Sequence, residues 1–588
     1  MRTLLVIGLL SSTVCAHAQP ADTAQRLLGL WGAEMNVGSP VAGELSIDGR
    51  GPQWLARIGG FELAVERKGS ALSFVLPGKA GEFRGRFRDE GQGIAGEWIQ
   101  PAVSVLSNGY ATPFELREVA PRAWRGRVVP LEPRVSFYIL IARGTDGGLS
   151  AKIRNPEFGW LQRGAWTVQS RGRDVTFAQG QRNQLAGTYD SSADQLTAAV
   201  LFGGPPVVFT RRGADDAVGF YARAPRDTSY RYRRPIADGD GWATASLAEV
   251  GLDEATISAF VQRILRGGPT DNAVAVQSLL IARHGKLVLE EYFHGFDEER
   301  PHDMRSAGKT FAPMLVGLAR DRGAKVAPET PVYSLFSEYK PFANWDARKE
   351  QMRVKDLMSM TAGYDCDEDH SDTASGNEDV MQDQTTQPDW YKYTLDVPMA
   401  HEPGGDRAYY CSAELNLVGG VAAKVSGKWL PELFDEAFAR PLQFRLYHLN
   451  LMPTGEAYLG GGAYIRARDQ LKLGQLYLNG GTWNGRRVID RDWVAQSLTV
   501  HASFENRFGV DHQYGWGWHI SHLTVGGRAV TEYAAGGNGG QTVLILPELD
   551  MVIGFTGSAY GDFQAWGPWG VRVVPQEIIP AVVAGAPR

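Results

Sequence analysis

The chain has 588 residues, of which 43% are hydrophobic, 10% aromatic and 21% charged, a globular composition able to bury large cores rather than a disordered or fibrous one. Its formal net charge is -6 and it carries no long Lys/Arg run, which speaks against nucleic acid or an anionic membrane as a partner. The length suits several domains.

In chain order, Arg2 and a short apolar run from Leu4 to Leu10 precede Ala16-His17-Ala18, small residues of the kind a signal peptidase cuts. Residues 1–18 are therefore predicted to be a signal peptide, and the mature protein to be periplasmic or secreted. The apolar run is shorter than the ~20 residues that span a bilayer, and no other stretch qualifies, so no membrane span is predicted in the mature chain. Cys15 leaves with the signal. Cys366 and Cys411 remain, either paired in an oxidising compartment or as buried thiols.

Residues 19–120 and 121–234 read as two β-rich domains of short strands punctuated by Gly and Pro, such as Glu44-Leu45-Ser46-Ile47 and the run from Val135 to Ile141. They carry a repeat signal. Leu30-Trp31-Gly32 is echoed by Ala123-Trp124-Arg125-Gly126, and Ala95-Gly96-Glu97-Trp98 by Ala186-Gly187-Thr188-Tyr189, each pair roughly ninety residues apart. A polar stretch from Pro225 to Pro235 and Asp238-Gly239-Asp240-Gly241 read as a linker.

Residues 235–588 change character. A helix is predicted from Leu252 to Leu265, followed by a hairpin of Val276–Arg283 and Lys286–Phe293 around His284-Gly285. Near the end, Thr542–Leu546 and Met551–Thr556 form a second hairpin, with a terminal helix from Val571 to Val583. First and last hairpins of a domain commonly share one antiparallel sheet, with the helical middle packed on it, an α+β layout.

Between the hairpins, Ser306-Ala307-Gly308-Lys309 precedes Phe311, Met314, Leu315 and Leu318 at helical spacing. Ser306 is thus predicted at a helix start with Lys309 one turn on, on the same face. A serine hydroxyl is a weak nucleophile, and a lysine held beside it in a desolvated pocket can take its proton. The helix N-terminus adds a partial positive field for an oxyanion. Pro313 is an awkward residue for such a helix.

Other chemistries fit less well. Gly308-Lys309-Thr310 lacks the first glycine of a phosphate-binding loop, since Asp303 stands there. There is no Gly-x-Ser-x-Gly elbow and no His-Glu-x-x-His. The acidic run from Asp365 to His370 puts His370 where a calcium loop needs glycine, and reads as a solvated surface loop.

With Ser306 and Lys309 come Pro403-Gly404-Gly405, Tyr410-Cys411-Ser412 and Leu417-Val418-Gly419, then Asn538-Gly539-Gly540 just before a strand. In this order they resemble the three elements of the serine β-lactamase, penicillin-binding-protein and carboxylesterase superfamily, over residues 235–588. Ser412 stands where the usual Tyr-x-Asn has asparagine, a departure similar to the 6-aminohexanoate-dimer hydrolase and carboxylesterase branch. Asn538 supplies no cation for a β-lactam carboxylate, so esters or linear amides are expected.

The resemblance implies a β-lactamase/transpeptidase-like fold and an exported serine hydrolase working through an acyl-enzyme on Ser306. Lys309 and Tyr410 would be its acid and base. The backbone N–H groups of Ser306 and Gln541 would form the oxyanion hole, with Asn538, Gly539, Gly540 and Ser412 at the substrate. No metal or organic cofactor is required, and the substrate is a small-molecule or peptide ester or amide. The competing reading is a non-catalytic or penicillin-binding sensor of cell-wall peptides, or a true β-lactamase or DD-peptidase.

Overall fold

The computed structural model describes residues 21–583 except 89–92, 103–108, 145, 160, 163, 181–182, 202–203, 214, 224–228, 268–274, 371 and 383–386. The predicted signal peptide lies outside the described residues.

Of two compact units, the smaller contains a closed barrel of eight strands. Its strands alternate as half-covered strands should: in Leu149–Arg154 every second residue is buried, and Phe137, Ile139, Phe177, Leu196 and Phe209 fill the interior. The first strand, Gly29–Asn36, closes the barrel by pairing Trp31 with Arg211.

In the larger unit, strands between Gly43 and Val128 form a sheet around Leu45, Phe83, Trp98, Phe114 and Trp124. The strand Ala123–Val128 sits between Gly43–Asp48 and Tyr110–Ala120. The two echoed tryptophans thus begin strands that have changed places. The Trp31 strand belongs to the later barrel, and the Trp124 strand to the earlier sheet. The strand groups therefore do not divide at residue 120, because long-range pairing outweighs chain order.

This sheet reaches the rest of the unit through a ladder. Tyr110 and Ala111 pair with Asn450 and Leu449, Tyr447–Asn450 pairs with Ala463–Ile465, and Ala463–Ile465 pairs with His302–Asp303, which leads directly into Ser306. Thr112 Oγ1 and His448 Nδ1 lie 2.7 Å apart along it.

Residues 235–583 build a nine-stranded sheet in which the two predicted hairpins meet, Val276–Arg283 running antiparallel to Met551–Gly557. All eight residues of Val276–Arg283 are buried because the sheet is covered on both faces. Leu280 and Ala282 face the helical core, while Leu279 and Ile281 face Glu254–Arg266 and the C-terminal segment. Asp253 caps the former helix, accepting from Thr256 N at 2.8 Å. The terminal helix is a π-helix, Trp569–Ile578, continued by a 3-10 turn. Pro575 inside it lacks an N–H to keep α register.

Part of the expected linker is not a linker. Asp240 is buried, and Arg468 reaches Asp238 at 2.8 Å and Glu290 at 2.7 Å while Lys472 holds Asp469 at 2.7 Å. Charges taken out of water are retained when paired in this way. Among the described residues no helix is long and apolar enough to cross a membrane.

Candidate active site

Ser306 lies on a 3-10 turn, Arg305–Thr310, rather than on the first turn of an α-helix. Residues three apart eclipse in a 3-10 turn, which sets Lys309 directly over Ser306. Lys309 Nζ donates to Ser306 Oγ at 2.8 Å. The α-helix begins at Phe311, so Pro313 falls in its first turn, where an N–H has no α-helical partner to lose. Arg305 holds a left-handed φ of 46°, a strained state for a non-glycine residue. Asp303 fixes it by accepting from Arg305 N at 2.9 Å and by ion-pairing with its guanidinium, Nε to Oδ2 at 2.7 Å.

Tyr410 stands beside this pair, its ring under Lys309 Nζ at 4.9 Å from the centroid. The serine, lysine and tyrosine predicted from the sequence are therefore brought together. Burial alone would lower the pKa of Lys309. Tyr410 and the carboxylates of Glu378 and Glu368 outweigh it and hold the ammonium above the ordinary lysine value. This corrects the expectation that desolvation frees the lysine of its proton. Burial likewise raises the Tyr410 hydroxyl, against the opposing pull of Lys309.

Ser412 opens the buried helix Ser412–Ser426, but it does not face the cavity. Its N–H donates to Glu368 Oε1 at 2.7 Å and its Oγ to Glu368 Oε2 at 2.9 Å. Glu368 belongs to the acidic run read as a solvated loop. Asp369 and His370 are exposed, whereas Glu368 is turned into the site. Burial and then Glu378 push its carboxyl up to about 7, while Lys309 and the Ser412 donors pull it down. Cys366 and Cys411 are disulfide-bonded. The bond and the Glu368 N to Tyr410 O hydrogen bond of 2.8 Å tie this loop to the tyrosine.

The glycine-rich element is shifted from where the sequence placed it. A Cβ on Gly537 would stand 2.4 Å from Met304 O and 2.9 Å from Ala307 N, so the end of the strand Arg528–Gly537 abuts the Ser306 turn and tolerates only glycine there. Asn538 lines the cavity but accepts from Gly561 N at 2.7 Å. Gly539 and Gly540 make the turn under Tyr560 and Trp569, and Gln541 is fully buried, its amide bonded to Gly557 O at 2.7 Å.

Ser306 and Tyr410 open into a cavity of about 730 Å³ walled by Phe504, Phe508, Phe563, Trp566, Leu544 and Val571. Its charged lining is four carboxyls, Glu368, Asp369, Glu378 and Glu532, against one guanidinium, Arg507, which is bonded to Asp369. His512 and His519, 2.8 Å apart, also line it, and burial keeps both neutral. Among the described residues no group of three or more His, Cys, Asp or Glu side chains is arranged to hold a metal ion.

A sequence profile of the family described as Beta-lactamase matches residues 261–563. The 6-aminohexanoate-dimer hydrolase of Paenarthrobacter ureafaciens is 26% identical over 231 residues, 38% of this chain and 56% of the relative. The chain thus spans about half the length of that curated relative. Similar solved structures include a family VIII carboxylesterase (18% identity, TM-score 0.41, 58% of this chain and 98% of that one). Another is a D-stereospecific amidohydrolase from Streptomyces sp. (16% identity, TM-score 0.38, 55% and 98%).

Proposed function

From the premise that the chain belongs to the β-lactamase family of serine hydrolases, we propose that it cleaves ester or linear amide bonds through an acyl-enzyme on Ser306. The observation that carries this is the 2.8 Å Lys309–Ser306 bond, with the Tyr410 ring against Lys309 Nζ, at the edge of the cavity.

Ser306 Oγ attacks the carbonyl carbon as its proton passes to the Lys309–Tyr410 pair. The pair then protonates the leaving alcohol or amine as the C–O or C–N bond breaks. Water, deprotonated by the same pair, attacks the acyl carbon and releases the acid with Ser306 reprotonated. Backbone at Ser306 and at Gly536–Gly537, rather than Gln541, flanks the place where the oxyanion develops. The acidic lining disfavours a substrate carboxylate, which supports esters and amides over β-lactams. The amino-terminal pattern of Arg2, the apolar run and Ala16-His17-Ala18, together with the Cys366–Cys411 disulfide, supports a periplasmic or secreted protein.

A fluorophosphonate probe tests the reading. It should label the protein stoichiometrically, with the adduct mapped by mass spectrometry to the peptide holding Ser306, and the protein should turn over nitrophenyl acetate. An unlabelled Ser306 in folded protein would refute it.

The charges also set a pH dependence. Lys309 is held protonated by Glu378 and Glu368, so kcat/KM should rise with pH as Lys309 loses its proton. Glu368→Gln removes a negative charge that favours the ammonium, so the rising limb should move to lower pH. A limb that stays in place or moves upward would show that Glu368 does not act on Lys309.

A further inference from the structure

One wall of the cavity is a hairpin at the edge of the nine-stranded sheet. Its base is Ala502–Ser503 paired with Gln513–Tyr514, and Phe504 N donates to His512 O at 2.8 Å. Phe504, Arg507, Phe508 and Val510 all line the cavity, and the Phe504 ring is 6.1 Å from that of Tyr410. The chain reverses at Phe508-Gly509, where Val510 N donates to Arg507 O at 3.1 Å and the two residues between have φ of 54° and 80°. A two-residue turn of this hand favours Asn, Asp or Gly at its first position and Gly at its second. Gly509 meets that demand and Phe508 does not. A bulky residue at positive φ is strained, and it persists only where its surroundings hold it, commonly at a functional site.

The surroundings do hold it. The Phe508 ring packs against Phe563 with centroids 5.1 Å apart, and a Cβ on Gly567 would stand 2.7 Å from the Phe508 Cζ, so the bare backbone of Gly567 is the seat of the ring. Each ring of the pair carries a guanidinium, Arg572 at 5.6 Å from the Phe508 centroid and Arg507 at 5.3 Å from that of Phe563. Arg507 is also bonded to Asp369 on the disulfide-tied loop. The tip of the hairpin is thereby fastened to two other walls of the same cavity.

We propose that Phe508 is a specificity-determining residue, a stop that limits the size of the group the cavity beside Ser306 accepts. The proposal rests on the hydrolase reading above and deepens it. Asn-Gly or Gly-Gly would form the same turn without strain, so the turn itself does not call for the ring. What the ring adds is volume between the hairpin and the C-terminal segment, in a cavity whose other walls are already aromatic. Compact groups fit with the ring seated on Gly567, and longer ones must displace it.

The test uses Phe508→Gly and Phe508→Asn, which both suit a positive φ and so remove the ring while keeping the turn. Two substrate series are compared, nitrophenyl esters of straight-chain acids of increasing length and acetates of alcohols of increasing size, the second followed by acid release. The parent should show a size beyond which kcat/KM falls. In both variants that limit should move to larger groups in at least one series, with kcat/KM for the first ester the parent rejects rising about tenfold or more relative to nitrophenyl acetate. Because each value is taken relative to acetate turnover by the same protein, folding yield cancels. A parent without a size limit, or a limit unmoved in both series, overturns the stop while leaving the hydrolase reading intact. Failure of both variants to fold overturns it too, by showing that the ring serves the hairpin itself. Absence of nitrophenyl acetate turnover and of Ser306 labelling in the parent would instead sink the reading, and the stop with it.

Discussion

Ser306→Ala and Lys309→Met should each lower kcat/KM for nitrophenyl acetate by about 10⁴-fold, and the double variant should be little worse than either. The reason is that the two groups act as one device. Without the hydroxyl there is nothing for the lysine to deprotonate, and without the lysine the hydroxyl at 2.8 Å keeps its proton. Independent contributions would multiply to a far larger loss, so the double variant is the informative one. Methionine keeps most of the volume of the Lys309 side chain in a site that is only 2% exposed. Thermal melting within a few degrees of the parent would confirm that the loss is chemical. Lys309→Met retaining more than a tenth of the parent rate would transfer the base to another group, with Glu368 the first to examine.

The parts of the site that were legible in the sequence are those fixed by local spacing. Ser306 and Lys309 are three residues apart, and any helical turn puts them on one face. The hairpins at 276–292 and 541–557 announced themselves by apolar runs around turn residues, and His284-Gly285, with φ of 51° and 70°, supplies the paired left-handed residues of a tight hairpin.

What was not legible depends on partners distant in the chain. Glu368 stands in an acidic run that looks solvated, and only the covalent tie to Cys411 and the two donors of Ser412 turn it inward. Asp240 looks like linker until Arg468 and Lys472, more than two hundred residues later, bury it. The glycine-rich element is expected from the sequence at Asn538-Gly539-Gly540, with Gly536-Gly537 overlooked just before it. Strand pairing, which chain order does not encode, put Gly536-Gly537 at the nucleophile and Gly539-Gly540 in the turn. Glu532 is a single carboxylate in an alternating strand, and only the covering C-terminal segment makes it a buried group.

Removing the disulfide, by Cys366→Ala with Cys411→Ala, should destabilise the 235–583 region by about 4 kcal/mol, the loop-closure value for a separation of 45 residues, and lower its melting transition by roughly 5 °C. Differential scanning calorimetry of the double variant measures this, and a change below about 1 kcal/mol would mean that the reduced chain keeps the loop in place without the bond. A chemical consequence accompanies the loss. The bond fixes the backbone two residues before Glu368 and one after Tyr410, so it holds the carboxylate that favours the Lys309 ammonium against the tyrosine that shares its proton. Loosening the loop should therefore lower the pKa of Lys309 and shift the rising pH limb in the same direction as Glu368→Gln, with Glu368→Gln adding no further shift in the disulfide-free background. Additive shifts would show that the disulfide acts on the site by a route other than Glu368.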